Sequence, residues 1–178
     1  MFDPTAFDNM KVVVEGALYD FDFAGKIVII DRNDIMNMAK MSRSFDVSFT
    51  LPESQVTAMI EIKSNLINLA AELLPDSLSE KHAGCYMKLQ FFHHGITDAK
   101  PLNNIESILF EIWGRNRKIS QSVTVNHPES EINNVHSIEL DRLIREDQIE
   151  DLVELIDSMV LTLEHLEGYL SKNHFNLN

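Results

Sequence analysis

The stretch Ser44–Leu51, SFDVSFTL, alternates apolar and polar side chains without a break. Phe45, Val47, Phe49 and Leu51 would share one face of a strand, and the polar residues between them would share the other. A period of two is typical of a half-buried antiparallel strand. The stretch therefore predicts a sheet with one face against a core and one face turned outward.

The next segment, Val56–Lys63 (VTAMIEIK), alternates in the same way, and the short loop PESQ would join the two strands. A helix over 65–74 would follow a polar cap and end before Pro75, because proline cannot continue a helix. The alternative is a single helix over 52–74, although Lys63 interrupts its apolar stripe. We favour the strand followed by the helix.

The chain before this unit predicts a similar one. Lys11–Phe23 (KVVVEGALYDFDF) and Lys26–Ile30 (KIVII) are rich in β-branched and aromatic residues, which favours the two arms of a hairpin with a bulge at Gly16. Asp31–Asp34 (DRND) would then cap a short helix through Ala39. This predicts two ββα-like units in tandem, near 11–41 and 44–74.

Four more strands and a long helix complete the predicted fold. The strands are expected near 84–93, 105–113, 118–125 and 135–141, and the helix near 145–171. No low-complexity linker interrupts the chain. The predicted class is α+β: one compact domain over 1–178, with a mainly antiparallel sheet closed by a C-terminal amphipathic helix.

The C-terminal helix carries an apolar seam with spacings of three and four residues. Its members are Ile149, Leu152, Ile156, Met159, Leu163, Leu166 and Leu170. Val153 and Val160 widen the seam, which favours packing against the protein's own sheet or helices. A seam for self-association is the alternative, and it makes a homodimer a candidate.

The same helix is strongly acidic. It has eight Asp and Glu residues and no Lys or Arg between Glu146 and Ser171. Acids in the first turn favour the helix dipole, but those near the C-terminal end do not. A docking face for a basic partner explains these later acids, and a simple solvated face is the alternative. The candidate partner-binding residues are Glu150, Glu154, Asp157, Glu164 and Glu167.

Composition limits the partner classes. The formal net charge is −13, from 28 acidic and 15 basic residues. Such a surface repels nucleic acid and anionic lipid. We therefore expect no nucleic-acid partner and no membrane, and no apolar run approaches the roughly 18 residues that a span needs. A single cysteine and an N-terminus without the features of a secretory signal favour a cytoplasmic protein.

The stretch Gly84–Gly95, GCYMKLQFFHHG, resembles a metal or catalytic site because it holds the only cysteine and a histidine pair. In a regular strand, however, His93 and His94 face opposite sides of the sheet. Cys85 and His93 share a face but lie roughly 26 Å apart. A zinc site needs every donor atom within about 2 Å of the metal ion, so we expect no metal site here. The pattern favours a strand whose odd-numbered residues are buried and in which His93 closes the apolar row.

Other polar patterns are weaker. Asp20–Asp31 imitates a calcium loop but lacks an oxygen ligand at Ala24 and would lie in a hairpin. Asp20 and Asp22 would share one strand face, where paired carboxylates could serve acid–base chemistry or only mark the wet side. Arg115, with Arg117 and Lys118, would form a basic turn that could hold an anion or an acidic patch of a second copy.

The chain contains no P-loop, GxGxxG, GxSxG, HExxH or CxxC motif. We therefore expect no cofactor, and more readily a binding or inhibitory protein than an enzyme. By composition alone, an immunity-type or antitoxin-like inhibitor of a basic protein has this character. The alternatives are an enzyme or ligand-binding protein and a self-associating structural protein. A ligand site would use scattered residues, for which the candidates are Asp20, Asp22, His93, His136 and Arg115.

Overall fold

The computed structural model describes residues 5–73 and 81–173. Within these ranges the chain forms four α-helices, a short 3-10 helix over Glu146–Gln148 and six strands. In chain order they are α1 (Ala6–Phe23), β1 (Val28–Asn37), β2 (Ser42–Thr50), β3 (Thr57–Ser64), α2 (Leu66–Leu73), β4 (Tyr86–His94), α3 (Ala99–Trp113), β5 (Lys118–Asn126), β6 (Glu131–Glu139) and α4 (Ile149–Asn173).

The six strands form one antiparallel sheet in the order β1-β2-β3-β4-β6-β5. The fold is of the α+β class, and β1 and β5 are the two edges of its sheet. Register aligns the apolar residues of the central strands in rows across the sheet. One row runs through Val47, Ile60, Leu89 and Ile138, all of which are buried.

This apolar face packs against α1, α3 and α4 in one continuous core. Each helix contributes a buried stripe at helical spacing. Phe7, Met10, Val14 and Leu18 belong to α1, and Ile105, Leu109 and Trp113 belong to α3. α4 contacts both α1 and α3, so it lies between them over the sheet.

The predicted hairpin over 11–23 and 26–30 is wrong, because Ala6–Phe23 is a helix. Thr5 caps it by accepting a hydrogen bond from the Asp8 N–H. The apolar stripe begins at Phe7, before the segment that favoured a strand, and its burial outweighs the β propensity of the valines. Gly16 consequently lies inside a helix and at no bulge, and the first ββα-like unit, near 11–41, does not form.

Two further predictions are wrong. Residues 31–39 do not form a helix, since β1 extends through Asn37 as an edge strand. The segment 105–113 is not a strand but the second half of α3. Its run of β-branched and aromatic residues also contains apolar residues at every fourth position, Ile105, Leu109 and Trp113, and these three are buried.

The other elements are confirmed. The predicted unit near 44–74 is formed by β2, β3 and α2, so the alternative of a single helix over 52–74 is excluded. Leu74 and Pro75 lie outside the described residues. β4, β5 and β6 correspond to the strands near 84–93, 118–125 and 135–141. The long C-terminal helix is present, and its apolar seam is buried in the protein's own core. That burial removes the seam as a surface for self-association. In the part of the chain that is described, no helix is long and apolar enough to cross a bilayer.

Candidate functional site

The outward side of α4 carries a stripe of carboxylates. Glu150, Glu154, Asp157 and Glu164 are exposed and follow the spacing of four, three and seven residues that keeps them on one side of a helix. We call these four residues the acidic face. Leu161 lies in the same stripe with 43% of its surface exposed, between Asp157 and Glu164. Opposite the acidic face, eight α4 residues are buried in the core, which fixes the rotation of the helix.

The acidic face has no internal counter-charge. Across residues 5–73 and 81–173, none of its four carboxylates forms an ion pair. In contrast, neighbouring Asp151 pairs with Arg142, at 3.3 Å. Glu150 and Glu154 are like charges four residues apart, an arrangement that costs a helix a few tenths of a kcal/mol. The stripe is therefore a surface of negative charge without ion-pair partners among the described residues.

Glu167, the fifth predicted partner-binding residue, has a different role. Its carboxylate accepts hydrogen bonds from the Ser54 hydroxyl at 2.6 Å and from the Gln55 N–H at 3.1 Å. Burial opposes its ionisation, but these bonds and one from Ser171 outweigh burial and hold the pKa of Glu167 below its ordinary value. Glu167 anchors the β2–β3 loop to α4, and we leave it out of the acidic face.

A cleft of about 270 Å³ opens beside the acidic face, between α4, the end of α3 and the loop after β6. Glu154 and Asp151 line one side, and Arg117 and Arg142 line the other. Arg117 lies over the Trp113 ring, 5.9 Å from its centroid. The cleft therefore combines the Trp113 side chain with both signs of charge in its lining. Arg142 lies in an irregular loop, where no pattern in the sequence marks it as a cleft residue.

The two histidines among the candidate ligand residues meet inside the protein. His93 on β4 and His136 on β6 are buried, with stacked rings whose centroids are 4.9 Å apart. Their Nε2 atoms are separated by 2.7 Å, which is a hydrogen-bond distance. Two nitrogens bound to one tetrahedral zinc would lie about 3.3 Å apart. The geometry is that of a hydrogen-bonded pair.

The hydrogen bonds assign the tautomers of the pair. His93 Nδ1 lies 3.3 Å from the carbonyl oxygen of His94, which can only accept, so this nitrogen carries the proton. In a neutral ring, His93 Nε2 is then an acceptor, and His136 Nε2–H is the donor to it. His136 Nδ1 is left as a bare acceptor, and it is buried without a partner among the described residues.

Burial keeps both rings neutral. It lowers the pKa of His93 below the ordinary 6.5, and it lowers the pKa of His136 to about 3, with a further contribution from neighbouring His93. Because each Nε2 is engaged with the other and both rings are away from solvent, the pair is built for packing and hydrogen bonding. Asn134 closes the same end of the sheet by exchanging two hydrogen bonds with the main chain of Ile96.

The remaining candidate ligand residues lie apart from this pair. Asp20 and Asp22 are in the last turn of α1, and two residues on a helix are about 200° apart, so they do not share a face. Asp22 accepts a hydrogen bond from the Ile29 N–H on edge strand β1. The calcium-like pattern is divided between a helix and a strand, so it forms no loop.

Arg115 lies in the exposed turn between α3 and β5, over the Phe110 ring. It makes no ion pair with any described residue. Nor do the described residues contain a group of three or more His, Cys, Asp or Glu side chains arranged to hold a metal ion. Burial raises the pKa of the Cys85 thiol to about 11, which makes this cysteine a poor nucleophile.

Comparison with known proteins identifies no relative: no protein-family model, curated protein or solved structure matches this chain.

Proposed function

We propose that this chain is a binding protein whose acidic face docks a basic protein partner. The observation that carries the proposal is the uncompensated charge of Glu150, Glu154, Asp157 and Glu164 on one exposed side of a helix whose other side is buried. Carboxylates aligned on a rigid element attract a basic surface and raise the association rate.

The apolar side chains on the same surface support docking rather than simple solvation. Leu161 lies within the stripe and Val153 beside it, and they are 43% and 42% exposed. Protein interfaces usually have an apolar centre and a polar rim. A contact that buries these two apolar residues among charged ones would have that composition. We therefore expect the partner to present Lys and Arg around a small apolar patch.

The experiment compares two variants of equal charge. The acidic-face variant neutralises three of the four carboxylates of the acidic face, by Glu150→Gln, Glu154→Gln and Asp157→Asn. The control combines Glu53→Gln, Asp98→Asn and Glu111→Gln, which are exposed residues outside α4 without ion pairs among the described residues. Both variants lose three negative charges, so they differ only in where the charge is removed.

Each protein is used to capture partners from the source cells, and association rates with the purified partner are then measured over a range of salt concentrations. We expect a basic partner that the control retains. With the acidic-face variant, we expect association to be slower and to depend less on salt. A partner that binds both variants equally well would show that the acidic face is not the docking surface.

A further inference from the structure

The two edges of the sheet differ in how they are protected against pairing. Edge strand β1 has a register irregularity between Ile29 and Asp31, and its Ile29 N–H donates to the Asp22 carboxylate. It also carries Asp31, Arg32 and Asp34. Bulges, charges and side-chain caps of this kind keep an edge from pairing with another strand.

Edge strand β5, Lys118–Asn126 (KISQSVTVN), has none of these protections. Its pairing with β6 is regular over all nine residues, and Lys118 is its only charged residue. Within the described residues, no hydrogen bond from outside the β5–β6 hairpin reaches the β5 main chain. Val123 and Val125, on the face that the helices cover elsewhere, remain 38% and 46% exposed. A long, nearly uncharged and β-branched edge is a template for another strand.

We propose that two copies of this chain associate by antiparallel pairing of β5 with β5 of the second copy, about a twofold axis at Ser122. This register overlaps all nine residues of the strand. It places Ile119 opposite Val125 of the copy and Gln121 opposite Val123, so the exposed valines gain new neighbours. The proposal is independent of the acidic face, which lies on α4.

Charge complementarity favours a second copy of this chain as the partner that pairs with β5. The chain before β5 is basic, with Arg115 and Arg117, and the chain after it is acidic, with Glu129 in the turn and Glu131 at the start of β6. Because the paired strands are antiparallel, the turn that carries Arg115 lies at the same end of the pair as the turn that carries Glu129 of the copy, twice in the dimer. Both side chains are exposed and make no ion pair among the described residues. Within one chain they lie at opposite ends of β5, roughly 30 Å apart for nine strand residues.

Cysteine cross-linking reads this register directly. Paired residues of antiparallel strands have Cα atoms about 4.5–5.5 Å apart, within the range that a disulfide spans. Ser122→Cys should therefore form a covalent dimer under copper-phenanthroline oxidation. Ser120→Cys is the control, because its two copies would be about 14 Å apart in this register. The native Cys85 is buried and gives little background.

Sedimentation of the full chain over a range of concentrations tests the association itself. We expect a dimer whose dissociation constant rises about tenfold or more in Ser122→Lys, which places like charges face to face at the twofold axis. Ile30→Lys introduces the same charge on the β1 edge, where Ile30 is 54% exposed, and should leave the constant unchanged. Arg115→Glu and Glu129→Arg should each weaken the dimer, and the double reversal should restore it.

The proposal is overturned if the chain remains monomeric at all concentrations. It is also overturned if Ile30→Lys rather than Ser122→Lys dissociates the dimer, or if Ser120→Cys cross-links as readily as Ser122→Cys. Either result would place the contact on a different surface or in a different register.

Discussion

His136 Nε2 donates to His93 Nε2 across 2.7 Å in the buried end of the β4–β6 pair. The bond joins residues 43 positions apart in the chain. At least one ring must be neutral to make it, since two imidazolium groups would repel and neither could accept, and burial disfavours the charged form of each ring. This requirement links the stability of the fold to pH.

We expect the protein to lose stability as the pH falls below about 6.5. Both folded-state pKa values are depressed by burial, so the unfolded chain binds protons that the folded chain does not. The stabilising effect is complete above pH 6.5 and decreases as the pH falls towards the folded values. Between pH 6.5 and 5 the loss is about 2 kcal/mol for each histidine that stays neutral. Urea unfolding at several pH values measures it, and a flat profile over this interval would contradict it.

Removing either histidine alone should destabilise the protein, because the remaining histidine is left buried without its hydrogen-bond partner. His136→Leu leaves the buried Nε2 of His93 without a donor, which costs about 1–3 kcal/mol. His93→Leu leaves the Nε2–H of His136 without an acceptor, at a similar cost. The double variant removes both partners, so its loss should be smaller than the sum of the two single losses. Unfolding free energies of the four proteins at pH 7.5 measure the coupling, and strict additivity would refute it.

A second buried bond ties α3 to α4. The Trp113 Nε1–H donates to the Thr162 hydroxyl at 2.9 Å, and Trp113 is the only tryptophan in the chain. Thr162→Val keeps the shape but leaves the indole N–H buried without an acceptor, and we expect it to cost about 1–3 kcal/mol. Thr162→Ser keeps the acceptor and should cost less. Tryptophan fluorescence follows both unfolding and the local environment, and equal losses in the two variants would argue against the bond.

The central sheet could be predicted because its strands alternate. In β2, β3 and β4 every second residue is buried by helices on one face only, so the period of two is visible in the sequence. The C-terminal helix is predictable for a similar reason, because its apolar seam repeats every three or four residues over about six turns.

The two helices predicted as strands have a common physical cause: local β propensity competes with a helical stripe that extends beyond the local window. In α1 the stripe begins at Phe7 and Met10, which precede the valine run, and in α3 it consists of Ile105, Leu109 and Trp113 within a β-branched segment. Burial of a stripe contributes more than the propensity differences, which are under about 1 kcal/mol per residue. Edge strand β1 is hard to recognise because α1 pairs with its polar residues, as in the Lys11–Asp34 ion pair, so no alternation remains.

The candidate functional features also differ in whether they depend on one element or on several. The acidic face is visible in the sequence because it depends only on residues of one helix, spaced by that helix's own period. The histidine pair is not visible as a pair, since it depends on β6 pairing with β4 across α3 and β5. The self-complementary edge likewise requires knowing that β5 is the outermost strand. The surface pattern of one helix follows from sequence once that helix is recognised, whereas contacts between elements follow from topology.

Two glycine substitutions should have opposite effects. Gly84 has φ +143°, and a Cβ there would lie 2.5 Å from the carbonyl oxygen of Ile144. That oxygen accepts from the Cys85 N–H in a bridge that joins the start of β4 to the chain before α4. We therefore expect Gly84→Ala to cost about 1–3 kcal/mol or more, from backbone strain and loss of the bridge.

Gly16 is the matched control. It lies within α1 and is exposed, and a Cβ added there would meet no atom within 4 Å. Gly16→Ala should therefore stabilise the protein by about 0.5–1 kcal/mol through helix propensity. Thermal and urea unfolding of both variants provide the measurement. If Gly16→Ala destabilised the protein, Gly16 would have to occupy a conformation other than helix, and α1 would be wrong. If Gly84→Ala were neutral, the backbone at Gly84 would have to differ from the one that forms the Cys85–Ile144 bridge.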